Sequence, residues 1–81
     1  MQGEERIRRL QWLCRRGMRE LDILLESFLT CKNDELSASA FPALESFLNE
    51  EDDRLWDWLQ MSSQPESGEY RKLVDAIRRV A

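Results

Sequence analysis

The stretch Arg16-Gly17-Met18-Arg19-Glu20-Leu21-Asp22-Ile23-Leu24-Leu25-Glu26-Ser27-Phe28-Leu29 sets the fold class. After Gly17, apolar side chains return at Met18, Leu21, Leu24/Leu25, Phe28 and Leu29, three and four positions apart, with Glu20, Asp22 and Glu26 between them. This is the spacing that gathers apolar groups on one side of a helix. Glycine costs about 1 kcal/mol inside a helix but readily takes the left-handed conformation that ends one, so Gly17 predicts a break between two helices.

Upstream, Ile7, Leu10 and Cys14 recur at helical spacing from about Glu4, with Arg6, Arg8 and Arg9 mostly on other faces. They predict a short amphipathic first helix. Downstream, the second helix is expected to end near Cys31-Lys32-Asn33, where Lys32 suits the negative helix end and Asn33 serves as a cap. A third helix carries Phe41, Leu44, Phe47 and Leu48. Pro42 favours Ser39 as its N-cap, whereas a staple between Leu36 and Phe41 favours Ser37. Asn49 then stops this helix, and Glu50-Glu51-Asp52-Asp53 opens a fourth, since acids are stabilised by the free N–H groups of a first turn. Leu55, Trp56, Trp58, Leu59 and Met61 follow on it, and Trp58 is read as core. Ser62 to Gly68 is turn chemistry, and a fifth helix presents Tyr70, Leu73/Val74, Ile77 and Val80. No segment shows β-branched alternation. The expected architecture is all-α: one domain over residues 1–81, a compact antiparallel bundle of about five short helices.

Composition narrows the function. A chain of 81 residues supports one thin core, and 42% hydrophobic with 35% charged residues marks a folded chain. The run Ile23-Leu24-Leu25 ends at Glu26, far short of a membrane span. Glu4 and Glu5 and the lack of an apolar N-terminal run argue against a targeting peptide, which with Met1 as the start implies a bacterial cytoplasm. There, Cys14 and Cys31, both within apolar-periodic segments, read as small buried hydrophobes rather than a disulfide. The chain has no histidine, which removes the commonest general base and transition-metal ligand. Residues 1–22 hold six arginines against four acids (+2), and the remainder six Lys/Arg against twelve acids (−6), giving −4 in total. An acidic remainder opposes approach to nucleic acid. The four acids at 50–53 lack the alternate spacing and central glycine of a calcium loop. No nucleophile–base pair or phosphate-cradling loop is present, so neither a catalytic residue nor a cofactor or metal site is expected.

The stretch Arg15-Arg16-Gly17-Met18-Arg19-Glu20-Leu21-Asp22 gathers three arginines and two acids around the expected helix junction. A structural reading makes it a helix cap within a solvated charge cluster, with the Glu20 carboxylate bonding back to free N–H groups. A functional reading makes it a partner-binding knob, where a glycine admits a partner's backbone and arginine presents a fork of donors. Spacing alone leaves the two open. Trp12 lies off the Ile7-Leu10-Cys14 stripe, and it too is open between packing and an interface.

The segment Trp12-Leu13-Cys14-Arg15-Arg16-Gly17-Met18-Arg19-Glu20 resembles the hallmark of the FAD assembly factor (SdhE, succinate dehydrogenase assembly factor) family: an Arg-Gly-x-x-Glu motif preceded by a Trp and a basic pair. A second family feature, an acidic stretch leading into a Leu-x-x-Trp-Leu helix, stands here as Glu51-Asp52-Asp53-Arg54-Leu55-Trp56-Asp57-Trp58-Leu59, with Arg54 where a proline is frequent. The resemblance covers residues 5 to 80. It implies a helical bundle, without a cofactor of its own, that binds the flavoprotein subunit of succinate dehydrogenase, and often of fumarate reductase, and promotes covalent attachment of FAD to a histidine of that subunit. It also implies that Arg16, Gly17 and Glu20, with Arg15 and Met18 beside them and Arg9 and Trp12 on the approach, form the partner-binding surface; the free protein is expected to be a monomer. A rival assignment for similar proteins is the antitoxin of a membrane-associated toxin; a generic helical adaptor is a further one.

Overall fold

The structure is a computed structural model that describes residues 2–80. Among these residues there are six helices and no strand: α1 (Gln2–Leu13), α2 (Arg19–Cys31), α3 (Asn33–Ser37), α4 (Leu44–Leu48), α5 (Asp52–Leu59) and α6 (Gly68–Val80). The long α2 buries Leu21, Leu25, Phe28 and Leu29, the stripe its spacing predicts, and α6 lays Leu73, Val74 and Ile77 against it. On the other side α1 packs on α3 and α4. There Gly3 permits a close approach, because a Cβ at that position would stand 3.0 Å from the Ser37 carbonyl oxygen. Phe47 of α4 forms a three-ring cluster with Trp58 and Tyr70, with ring centres 5.7 Å apart for Phe47 and Trp58, 5.2 Å for Phe47 and Tyr70, and 5.8 Å for Trp58 and Tyr70. Trp58 is buried, as its spacing indicates.

The segment between α2 and α4 departs from expectation. Residues 33–37 form a helix of their own, started by the Leu36 N–H donating to the Lys32 carbonyl at 2.8 Å and anchored by the buried Leu36. Asp34 and Glu35 in its first turn are stabilised by the free amides there. Asn33 therefore begins a helix rather than capping one. Neither Ser37 nor Ser39 caps α4: Ser37 closes α3, Ser39 and Phe41 both take positive φ (70° and 56°), and the residue before α4 is Ala43, without a side-chain cap. A bulky residue in left-handed conformation is strained and persists where its surroundings over-determine it. Here they do, since Phe41 meets Phe28 edge-on at 5.3 Å and its carbonyl accepts from Arg6.

Helices α1 to α5 carry no basic residue in their last turns. Carbonyls at the C-terminal ends of helices need donors, and distant arginines supply them. The Arg6 guanidinium donates to the Leu36 carbonyl in the last turn of α3 and to the Ala40 and Phe41 carbonyls of the connector beyond it, and pairs with Glu45 at 3.2 Å. Arg78 of α6 donates to the Leu59 carbonyl that ends α5.

The two cysteines part company. Cys14 is buried as expected, but Cys31 is exposed, because the buried stripe of α2 runs through Leu25 and Phe28 and leaves position 31 outside it. Burial pushes the Cys14 thiol up to about 12; Glu26 adds to the rise, Arg16 opposes it, and Asp22 contributes least. Two results are expected. A thiol reagent at neutral pH modifies Cys31 in the native protein and both thiols in urea. The stability held by the neutral Cys14 is complete below its ordinary value of 9.0 and declines as pH rises toward 12, because the unfolded thiol ionises first. The urea midpoint of the wild type therefore falls more steeply across that window than that of Cys14→Ala.

Candidate functional site

Between α1 and α2 the chain turns in five residues, Cys14 to Met18. Gly17 sits at φ +84°, the left-handed conformation expected of it, and Met18 is extended and precedes α2 without a side-chain cap. The amides before α2 are instead taken by Asp22: its carboxylate accepts from the Arg16 N–H at 3.0 Å and the Gly17 N–H at 3.2 Å. The capping expected of Glu20 thus belongs to Asp22. Glu20, on the second residue of α2, points to solvent, while Asp22 reaches back beneath the turn.

Arg16 does not display its fork to solvent. Its side chain is 15% exposed and donates to the Leu13 carbonyl at 2.8 Å, which ends α1, and to the Leu48 carbonyl at 2.6 Å, which ends α4. It also donates to the Glu50 carbonyl at 2.6 Å and is ion-paired with Asp52 in the first turn of α5. A cation at two helix C-termini and beside a carboxylate is well placed electrostatically. Arg16 ties the turn to the α4–α5 junction, much as Arg6 ties α1 to the connector before α4.

Outside this strut lies an unpartnered surface. Trp12 is 73% exposed, which settles the open reading of that residue toward the surface. Arg15, Gly17, Arg19 and Glu20 are exposed, and among the described residues the side chains of Arg15, Arg19 and Glu20 make no hydrogen bond or ion pair within the chain. A Cβ built on Gly17 would meet no atom within 4 Å beyond its chain neighbours. Met18 is half-buried against the core. Arg9 is exposed on α1 and paired with Glu45 at 3.3 Å. Beside the turn, an open cleft of about 520 Å³ runs between α1 and α2, lined by Ile7, Gln11, Arg15, Glu26 and Thr30 among others.

Sequence reasoning overlooked three residues here. Asp22 and Asp52 organise the turn from within, and Arg19 adds an unpaired cation between Gly17 and Glu20. An acid in the first turns of α2 was a visible signal for Asp22. Nothing local connects Arg16 to Asp52. The described residues contain no group of three or more side chains placed to hold a metal ion, and no helix is long and apolar enough to cross a membrane.

Residues 8–81 match the family described as flavinator of succinate dehydrogenase. Three bacterial proteins named FAD assembly factor SdhE are similar to the chain. The one from Coxiella burnetii is 38% identical over 91% of this chain and 90% of its own length. That from Legionella pneumophila (strain Paris) is 40% identical over 86% and 87%, and that from Pectobacterium atrosepticum 37% over 86% and 80%. No solved structure matches the chain.

Proposed function

We infer the role from the family to which the chain belongs, the flavinators of succinate dehydrogenase, whose members are assembly factors rather than enzymes. The chain binds the flavoprotein subunit of succinate dehydrogenase through the α1–α2 turn and promotes covalent attachment of FAD to it. Fumarate reductase is a second client. The free protein is a cytoplasmic monomer and carries no cofactor of its own.

The observation that supports this reading is the division of labour around Gly17. Arg16 and Asp22 satisfy the turn from inside, while Trp12, Arg15 and Glu20 stand outside with their polar groups and aromatic surface unspent. Rigid Trp and Arg anchors on a preorganised backbone are what tight interfaces use. Gly17 leaves room for a partner's main chain at the centre, with Arg9 at the edge and Met18 seated below. The flavoprotein, held through this surface, keeps its FAD and its own reacting groups in the arrangement where the bond forms. Positioning of this kind lowers a barrier by up to about 7–11 kcal/mol in the best cases.

A photo-crosslinking residue tests the surface directly. Placed at Trp12, it is expected to link to the host's succinate dehydrogenase flavoprotein; placed at Met61, exposed between α5 and α6, it is not. Linking from Met61 but not Trp12 would move the interface to the other end of the chain.

A further inference from the structure

We infer that Asp52, thirty-six positions from Arg16 and outside the Arg-Gly-x-x-Glu motif, is a positioning residue that sets flavoprotein affinity by holding Arg16, and through it the Gly17 turn, in binding geometry. The inference rests on the α1–α2 turn being the flavoprotein surface.

Nothing packs on the outer side of Gly17, and glycine gains more freedom than any other residue when its restraints are removed. The turn is therefore ordered from within alone. Asp22 fixes its two amides, but Asp22 belongs to α2 and moves with it. The bonds that place the turn relative to the rest of the bundle are those of Arg16. These run to the Leu48 carbonyl at the end of α4, to the Glu50 carbonyl within the α4–α5 connector and to the Asp52 carboxylate at the start of α5. The Leu13 carbonyl, also bonded to Arg16, lies at the end of α1 and adds no tie to that junction.

Asp52 is the one acid paired with Arg16 among the described residues. Its removal leaves a guanidinium that is mostly covered and short of its counter-charge, a situation relieved by swinging the arginine out to water. The turn then loses its anchor to α4 and α5. Binding has to supply the order that the free protein formerly held, and affinity falls by that amount.

The experiment compares wild type, Asp52→Ala, Asp52→Asn, Glu20→Ala and Arg78→Gln. For each, the dissociation constant for the host's succinate dehydrogenase flavoprotein, the amide exchange of residues 15–19 and the melting temperature are measured. Asp52→Ala is expected to weaken binding about fivefold or more and to speed exchange in the turn. Asp52→Asn keeps an acceptor without the charge and gives an intermediate loss; it serves alone if the alanine variant does not fold. Arg78→Gln, whose shorter neutral side chain withdraws the guanidinium from the Leu59 carbonyl between α6 and α5, lowers the melting temperature without weakening binding.

Wild-type affinity in Asp52→Ala alongside weakened Glu20→Ala overturns the role of Asp52 and leaves the surface standing. Equal weakening by Arg78→Gln also overturns it, since general destabilisation then accounts for the loss. Failure of the wild type to bind overturns the surface and the inference together.

Discussion

Gly17→Leu is expected to leave the chain folded and to remove flavoprotein binding, by at least tenfold in dissociation constant as an order of magnitude. Gly17 lies at φ +84°, where a side chain costs about 1–2 kcal/mol. In a domain of this size, each kcal/mol lowers the melting temperature by about 4–8 °C. No clash at Cβ adds to this cost, because a Cβ there meets no atom of the protein beyond its chain neighbours within 4 Å. The space is empty only in the free chain; on the proposed surface it is where the flavoprotein approaches, and an isobutyl group fills it. Gly17→Asn separates strain from obstruction, since asparagine tolerates the left-handed region better. It should melt closer to the wild type than Gly17→Leu while still weakening binding. If both variants bind as the wild type does, the partner does not approach the turn at Gly17.

The largest effect on folding is expected from Phe47→Ala. Phe47 is fully buried, with Trp58 and Tyr70 in ring contact and the Tyr70 hydroxyl held by Ser46 at 3.0 Å. Truncation of a buried phenylalanine costs about 3–5 kcal/mol through lost burial and the cavity left behind. At about 0.05–0.15 kcal/mol per residue, an 81-residue chain has about 4–12 kcal/mol to lose. The urea midpoint should drop by a large fraction of its value, with the slope unchanged in a two-state transition. A loss below about 1 kcal/mol would place the Phe47 ring outside the core. Because α4 also supplies the Leu48 carbonyl to Arg16, partial unfolding at this point reaches the turn as well.

Which parts of this were readable in the sequence follows from the range of the interactions. Helices α2 and α6 declare themselves, since thirteen residues are long enough for the Leu21-Leu25-Phe28 and Leu73-Val74-Ile77 stripes to show. The turn at Gly17 is readable because one residue type dominates left-handed backbone. Residues 33–43 are not. Five residues cannot display a period, and the helices α3 and α4 end on carbonyls satisfied by Arg6 and Arg16 from far along the chain. Ser39 and Phe41 take conformations that their side chains disfavour and that tertiary contacts impose.

The motif was legible as a cluster but not in its roles. Arg16 and Arg15 look alike in sequence, yet Arg16 is drawn inward by Asp52 and three carbonyls while Arg15 stays in solvent. Glu20 and Asp22 likewise exchange the roles that spacing suggests, the longer acid facing out and the shorter one reaching the turn's amides. Trp12 could be decided only by the fold, which leaves that ring outside the single buried stripe of α1.

The claim that joins these observations is that the surface around Gly17 serves flavin attachment to succinate dehydrogenase. It is tested most directly by deleting the gene in its host and reading the covalent flavin on the succinate dehydrogenase flavoprotein as fluorescence in a denaturing gel. Plasmid copies of the wild type, Glu20→Ala and Gly17→Leu are then supplied at equal protein level. The account predicts that fluorescence falls on deletion and returns with the wild type but not with either variant. Unchanged fluorescence on deletion, or full rescue by both variants, would contradict it.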